Sequence, residues 1–312
     1  MVPACIRSAG PVRVFSCLKQ ISGILSTTGP QAETALEPEA ERAPANETRG
    51  RLMSDYLSNL FGLNGRTAAV IGGTGVLGGA ICECLAGAGA HVLVVGRNAD
   101  NGAACVARIT DAGGTAEFVK ADSTSAADLE AIIAHAKAAD RTIDVLVNGA
   151  GVNSATPFLE IEDDEWERII NINLRSVRLA CQIFGKHMLE AKNNGSIINV
   201  ASLSGMTALS RVFTYSASKA AVINLTQNLA REWAPLGVRV NALSPGFFPA
   251  EQNKKVLTPE RVASIMGHTP ADRFGEPQEL AGAVLLMAAP VAGSFVTGAN
   301  IVVDGGFSAM TI

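Results

Sequence analysis

The amino-acid sequence predicts a three-layer α/β fold, doubly wound about one seven-stranded parallel sheet. Three observations carry that prediction. Short, continuously apolar runs recur from Thr67 onward, stretches with helical apolar spacing fill the gaps between them, and the first run opens directly into a glycine-rich turn. Strands that are apolar on both sides need cover on both faces, which a parallel sheet between two helical layers supplies.

The elements follow in order. The strand "TAAVIGG" from Thr67 is followed by the helical "GVLGGAICECLAGAGA", then the strand "HVLVVGR" and a helical stretch to about Ala112. Next come "AEFVKAD", a helix through "DLEAIIAHAKAA" and the fourth strand "IDVLVNGAG". A long helix around Trp166 to Ala180 leads to "GSIINVAS", a helix containing "YSASK" leads to "RVNALSPG", and a helix around Gln278 to Ala288 leads to "ANIVVDGG". No linker divides this alternation, so residues 53–312 are expected to form a single domain. Residues 1–52 differ: "TTGPQAETALEPEAERAPANETRGR" is polar, proline-punctuated and aperiodic, and is read as a disordered extension or an upstream start, with the functional protein beginning near Met53. Arg7, Arg13 and Lys19 lie in a segment whose apolar stretches are too broken for a secretory core.

Composition narrows the function. A formal charge of −4 argues against a nucleic-acid binder, which concentrates Lys and Arg. The six cysteines form no CxxC pair, so they read as small hydrophobes in a reducing, cytoplasmic compartment, and no ligand pattern for a metal is present. No apolar run reaches the length of a membrane span.

The turn "GGTGVLGG", Gly72 to Gly79, lies between the first strand and the first helix. Glycines there let the backbone approach a pyrophosphate, whose charge a helix N-terminus stabilises. Gly72, Thr74, Gly75, Val76, Leu77 and Gly78 are therefore candidate cofactor contacts, with close helix–sheet packing as the alternative reading. The second strand ends in Gly96 and Arg97 where an NAD-selective fold commonly has a carboxylate. Arginine pairs with a 2′-phosphate, which favours NADP(H) over NAD(H); a solvent-facing Arg97 leaves NAD(H) open. Asn98 caps the next helix or touches the ribose, and Asp122 after the third strand and Asn148, Gly149 and Ala150 after the fourth lie at the strand ends where ligands bind.

Ser202 ends the fifth strand, Tyr215 follows thirteen residues later, and Lys219 is four residues beyond the tyrosine, on the same helical face. Beside a nicotinamide, Ser202 and Tyr215 can donate to a carbonyl oxygen while tyrosine supplies the proton. A free phenol is too weak an acid or base at neutral pH, so Lys219 is expected to lower its pKa and to hold the nicotinamide ribose. Asn173, in "IININ", is placed to support a water beside Lys219.

The glycine turn, "NGAG", Asn173, Ser202, "YSASK" and "SPG" at 244–246 together resemble the short-chain dehydrogenase/reductase family over about residues 60–312. The resemblance implies a Rossmann-like fold, NAD(P)-dependent carbonyl–alcohol chemistry and a homotetramer or homodimer. It assigns Ser202 to orienting substrate, Tyr215 to acid/base work, Lys219 to the ribose, Asn173 to a proton relay, and Pro245, Gly246 and Phe248 to the cofactor. The sequence departs from the family pattern where Ile71, Val76 and Ala250 replace a threonine, the middle glycine and a threonine. In finer detail, "SRVFTYSASKAAV", "EQN", "HTPADRFGEP" and "SFVTGANIVVDGGFSA" resemble the D-mannonate oxidoreductase, or fructuronate reductase, branch, which is similar to gluconate 5-dehydrogenase-type reductases. That resemblance makes D-fructuronate and D-mannonate the expected pair, a hydroxylated, anionic small molecule, with gluconate 5-dehydrogenase-like or other keto-sugar or polyol reduction as the alternative. Arg211 would hold its carboxylate, and Asn153, Glu251, Gln252 and Asn253 its hydroxyls; pairing at a subunit interface is the other reading of Arg211. A dinucleotide-binding scaffold without turnover is the unlike alternative, and retention of Ser202, Tyr215 and Lys219 speaks against it.

Overall fold

A computed structural model describes residues 54–248 and 258–310. Glu251, Gln252, Asn253 and the whole of residues 1–52 lie outside the described residues. A short helix α1 over residues 54–61 precedes the first strand. The chain then alternates β1 (Thr67–Ile71), α2 (Val76–Gly87), β2 (His91–Gly96), α3 (Ala99–Asp111), β3 (Thr115–Lys120), α4 (Ala126–Ala138) and β4 (Ile143–Asn148). The second half runs α5 (Asp163–Ile170), a π-helical turn (Asn171–Arg175), α6 (Ser176–Ala191), β5 (Ser196–Val200), α7 (Phe213–Trp233), β6 (Arg239–Pro245), α8 (Pro259–Gly267), α9 (Ala281–Ala288) and β7 (Asn300–Val303).

The seven strands form one parallel sheet in the order β3-β2-β1-β4-β5-β6-β7. All five residues of β1 and all six of β4 are buried, which is why these runs carry no polar face. Successive side chains still alternate between layers. Ala69 and Ile71 join Leu129, Ile132, Phe184, Met188 and Val222 on the face covered by α4, α6 and α7. Ala68 and Val70 join Ile81, Leu85, Ile109, Val284 and Met287 under α2, α3 and α9. Strand order reverses at β1, whose neighbours are β2 and β4, and the crevice at such a reversal is where parallel sheets bind ligands.

All seven strands foreseen in the sequence form. Three features were not foreseen: α1, α8, and the π turn that widens the long helix between α5 and α6. The widened turn carries Asn173, which is fully buried.

Candidate active site

The glycine turn fits a pyrophosphate. Gly72 has φ +85°, a region that side chains disfavour, and a Cβ there would lie 2.7 Å from Ala150 N. A Cβ on Gly78 would collide with Gly72 O, so the turn and the head of α2 pack as bare backbone. Gly75 caps α2 without a side-chain hydrogen bond, and the first turn of that helix holds no acidic residue. Its free N–H groups and positive dipole end therefore face the crevice without competition from a carboxylate. Val76 is the exposed first residue of α2, Leu77 packs against the core face beneath it, and Thr74 rests on Gly96, where a Cβ would lie 2.5 Å from its Oγ1.

Next to this cradle, Arg97 is exposed at the end of β2. Asn98 uses its side chain to cap α3, accepting from Asn101 N at 2.9 Å. Asp122 accepts from the backbone N–H of Thr124 at 2.9 Å and from its hydroxyl at 2.8 Å; these bonds, with Arg97 nearby, hold its carboxyl below the usual range. At the end of β4, Gly149 N donates to Ile71 O at 2.8 Å, bringing Gly149 and Ala150 against Gly72. Asn148 turns inward instead: its Nδ2 donates to Asn199 Oδ1 at 2.8 Å, and Asn199 Nδ2 donates to Thr226 Oγ1 at 2.9 Å. The Asn148 side chain is thus part of a buried ladder tying β4 and β5 to α7, and only its backbone faces the crevice edge.

Ser202, at the end of β5, Tyr215 and Lys219, on α7, and Asn173, on the π turn, are brought together. Lys219 is buried and donates from Nζ to Val200 O at 2.7 Å, with Nζ 5.6 Å from the centre of the Tyr215 ring. Burial pushes the Lys219 ammonium down to about 8. Burial also pushes the Tyr215 phenol up, and the Ser202 hydroxyl only partly offsets it. The expectation that Lys219 lowers Tyr215 finds no support in the protein alone: one of the Lys219 N–H donors goes to Val200 O, and desolvation of the phenolate outweighs the hydrogen bond from Ser202. Asn173 clamps Val152 on both sides, Oδ1 accepting from Val152 N and Nδ2 donating to Val152 O, each at 2.8 Å, and Nδ2 also reaches Ser218 Oγ at 3.2 Å. Gly151 leaves a gap here, since a Cβ would sit 3.4 Å from Asn173 Oδ1 and 3.5 Å from Lys219 Nζ.

The remaining candidates are more dispersed. Gly246 lies so close to Asp304 that a Cβ would be 2.6 Å from that residue's Cβ. Phe248, beyond Pro245 and Gly246, buries its ring in the core against Gly275, so its side chain packs the loop. Arg211 is exposed with φ +63° in the turn leading into α7, and Asn153 is exposed, its Oδ1 accepting from Ser154 N at 2.7 Å. Arg273 is engaged by Glu279 through two bonds of 2.7 and 2.6 Å. On the other side of α7 from the Tyr215–Lys219 face lies a cleft of about 380 Å³, lined by Phe158, Trp166, Leu209, Phe213, Ser216 and Ala217. Among the described residues no group of three or more His, Cys, Asp or Glu side chains is placed to hold a metal ion, and no helix is long and apolar enough to cross a membrane.

Sequence reasoning missed Ser204, whose backbone N–H and hydroxyl both donate to Ser202 Oγ, at 3.2 and 3.1 Å. It also missed Asn199 and Thr226. The signal was faint: a polar residue in an apolar strand, and a threonine seven residues after Lys219 on the buried face of its helix.

Fold and site define a dinucleotide-dependent dehydrogenase, and comparison with known proteins gives the family. Residues 66–261 match the short chain dehydrogenase family, and the chain belongs to that family of NAD(P)-dependent oxidoreductases. It is 38% identical to a galactitol 2-dehydrogenase (L-tagatose-forming) of Cereibacter sphaeroides over 81% of this chain and 99% of that one. It is 32% identical to the gluconate 5-dehydrogenase of Gluconobacter oxydans, over 80% of this chain and 97% of that one. Among solved structures, a gluconate 5-dehydrogenase from Burkholderia cenocepacia in complex with NADP and tartrate superposes with a TM-score of 0.77 at 32% identity, covering 82% of this chain and 100% of that one. These relatives bear out the family and revise the finer resemblance: gluconate- and polyol-type dehydrogenases are the recurring likeness, and none of them singles out the mannonate–fructuronate branch.

Proposed function

We propose that the protein interconverts a keto sugar acid and its hydroxy acid with NADP(H), in the manner of a gluconate 5-dehydrogenase, with a neutral keto-sugar or polyol as the second substrate class. The observation that carries the reading is the convergence of Ser202, Tyr215 and Lys219 beside an uncapped glycine cradle. Gluconate dehydrogenases recur among the relatives, which favours them over the fructuronate–mannonate pair. Bound nicotinamide supplies or accepts the hydride.

The residues of the chain do the rest. The Ser202 and Tyr215 hydroxyls donate to the substrate's carbonyl oxygen, and Tyr215 gives up its proton to the alkoxide that forms, or takes it back in oxidation. Lys219 uses one of its three N–H donors on Val200 O, leaving two for the nicotinamide ribose. The gap above Gly151, edged by Asn173 Oδ1 and Lys219 Nζ, has the polar partners a relay water needs. Arg97, exposed at the end of β2, can pair with a 2′-phosphate, and several structural relatives carry NADP. Arg211, four residues before Tyr215, is the candidate carboxylate holder.

The test is oxidation of NADPH and NADH by the purified chain against 5-ketogluconate, D-fructuronate and a panel of neutral keto-sugars, with Tyr215→Phe as the blank. Tyrosine-dependent turnover of 5-ketogluconate with NADPH is expected, and Arg97→Asp should weaken NADPH relative to NADH by at least about tenfold, the loss of one charge-assisted contact. Turnover of neutral substrates alone removes Arg211 from the reading; turnover by Tyr215→Phe removes the proposed proton donor.

A further inference from the structure

We propose that Ser204 is a positioning residue that fixes the Ser202 hydroxyl as a hydrogen-bond donor aimed at Tyr215 and the substrate oxygen. The inference rests on the reading of Tyr215 as the proton-transfer group and adds to it the direction in which its neighbour's hydrogen points.

A serine hydroxyl has one hydrogen and two lone pairs. Ser202 Oγ receives the backbone N–H of Ser204 at 3.2 Å, a donor whose direction is fixed, and contacts Ser204 Oγ at 3.1 Å. Ser204 is buried, and its hydroxyl has no other partner among the described residues. If Ser202 donated to Ser204, the Ser204 hydrogen would be left without an acceptor in a buried place, a loss on the order of 1–3 kcal/mol. If Ser204 donates to Ser202, every hydrogen is used and both Ser202 lone pairs are filled. Ser202 then has only its own hydrogen left to offer.

The consequence falls on Tyr215. A Ser202 with a vacant lone pair would accept the phenol's hydrogen and draw it away from the substrate. Before substrate binds, a Ser202 with both lone pairs filled offers its one hydrogen to the phenol oxygen and stabilises the phenolate, which is the direction in which Ser202 moves Tyr215 against the opposing effect of burial; when substrate binds, the same hydrogen turns to the carbonyl oxygen. The tight turn after β5 makes the arrangement possible: a Cβ on Gly205 would lie 2.9 Å from Ala220 N, so the turn rests against α7 next to Lys219 and holds Ser204 beneath Ser202.

The chain has only two tyrosines, and Tyr56 is exposed, so the ionisation of Tyr215 is read without substrate from the tyrosinate absorbance of the full chain minus that of Tyr215→Phe. In Ser204→Ala the Tyr215 midpoint should rise by about one pH unit, the size of one lost hydrogen bond to a charged group, while Ser204→Thr, which keeps the hydroxyl, stays near the native midpoint. Turnover of whichever substrate proves active should fall about tenfold in kcat for Ser204→Ala with KM nearly unchanged. An unmoved midpoint in Ser204→Ala overturns the proposal, even if the variant is less stable, and so does a shift in Ser204→Thr as large as in the alanine variant. Because the titration uses no substrate, its result is independent of the sugar-acid assignment, which fails separately if no such substrate turns over.

Discussion

Two buried cations in this protein meet burial in different ways. Lys219, at the C-terminal edge of the sheet, makes one hydrogen bond among the described residues, to Val200 O. Arg239, at the start of β6 near the opposite edge, donates to the carbonyls of Ala288, Ala289 and Val296 at 3.2–3.3 Å. The first two of those carbonyls close α9, the negative end of its dipole, so the guanidinium is held by three acceptors, two of which favour a cation. Burial pushes Arg239 down to about 10, which leaves it fully charged at neutral pH; it pushes Lys219 to about 8, within reach of a change in surroundings. A buried charge shared among three carbonyls, two of them at a helix C-terminus, holds structure together, whereas one held by a single carbonyl at the ligand-binding edge of the sheet is a site waiting for a partner.

Exchanging each cation for the apolar Met should separate the two roles. Lys219→Met is expected to reduce kcat by roughly 10²–10⁴-fold, the range for loss of a group that supports proton transfer, with thermal stability at pH 7 no lower than that of the native chain. Arg239→Met is expected to unfold more easily by about 1–3 kcal/mol, because the carbonyl of Ala288 loses its donor; Ala289 O keeps the Gly293 N bond of 3.1 Å and Val296 O the Asn241 Nδ2 bond of 2.8 Å. Its activity per folded molecule should be unchanged. Denaturant unfolding and initial rates on both variants decide it, and a destabilised Lys219→Met with normal rates would dissolve the comparison.

The same contrast predicts a pH dependence. Lys219 has a folded-state pKa near 8, below its ordinary 10.5, so between these values the unfolded chain binds more protons than the folded one. Stability must then rise with pH across that window, by at most about 1.4 kcal/mol per pH unit from this group. Below pH 8 the full penalty of the buried ammonium is present. Tyr215 acts oppositely: burial raises its phenol, so the folded chain holds a proton that the unfolded chain loses, and stability falls above pH 10. The rise between pH 8 and 10 should therefore be present in the native chain and absent in Lys219→Met, as read from unfolding midpoints across the range.

How much of this was legible in the sequence follows from the range over which each feature is decided. The strands, the glycine turn and the Tyr215–Lys219 pair are set by residues within a few positions of one another, and all could be read. Which lone pair Ser204 fills depends on a turn packing against α7, and the opposing pKa shifts of Tyr215 and Lys219 depend on how many layers cover them; neither is encoded by spacing. The π turn was hidden for a related reason: "RIININLRS" keeps its helical apolar pattern while one turn widens around Asn173. Asn148 was read as a ligand contact because it ends a strand, a rule that locates the backbone and leaves the direction of the side chain to tertiary packing.

The smallest expected effect belongs to the ladder that turns Asn148 inward. Thr226 Oγ1 accepts from Asn199 Nδ2 at 2.9 Å and donates to Val222 O at 2.8 Å, fully buried within α7. Thr226→Val keeps the shape and removes both roles, leaving an amide hydrogen of Asn199 unpaired in the core, for a loss of about 1–2 kcal/mol in unfolding free energy. If the ladder only ties β4 and β5 to α7, kcat and the pH profile stay native, as for Arg239. If instead the profile of Thr226→Val shifts with that of Ser204→Ala, the neutral network beneath the sheet edge belongs to the same proton-positioning system as Ser202, and the division between structural and functional polar groups has to be drawn deeper in the core.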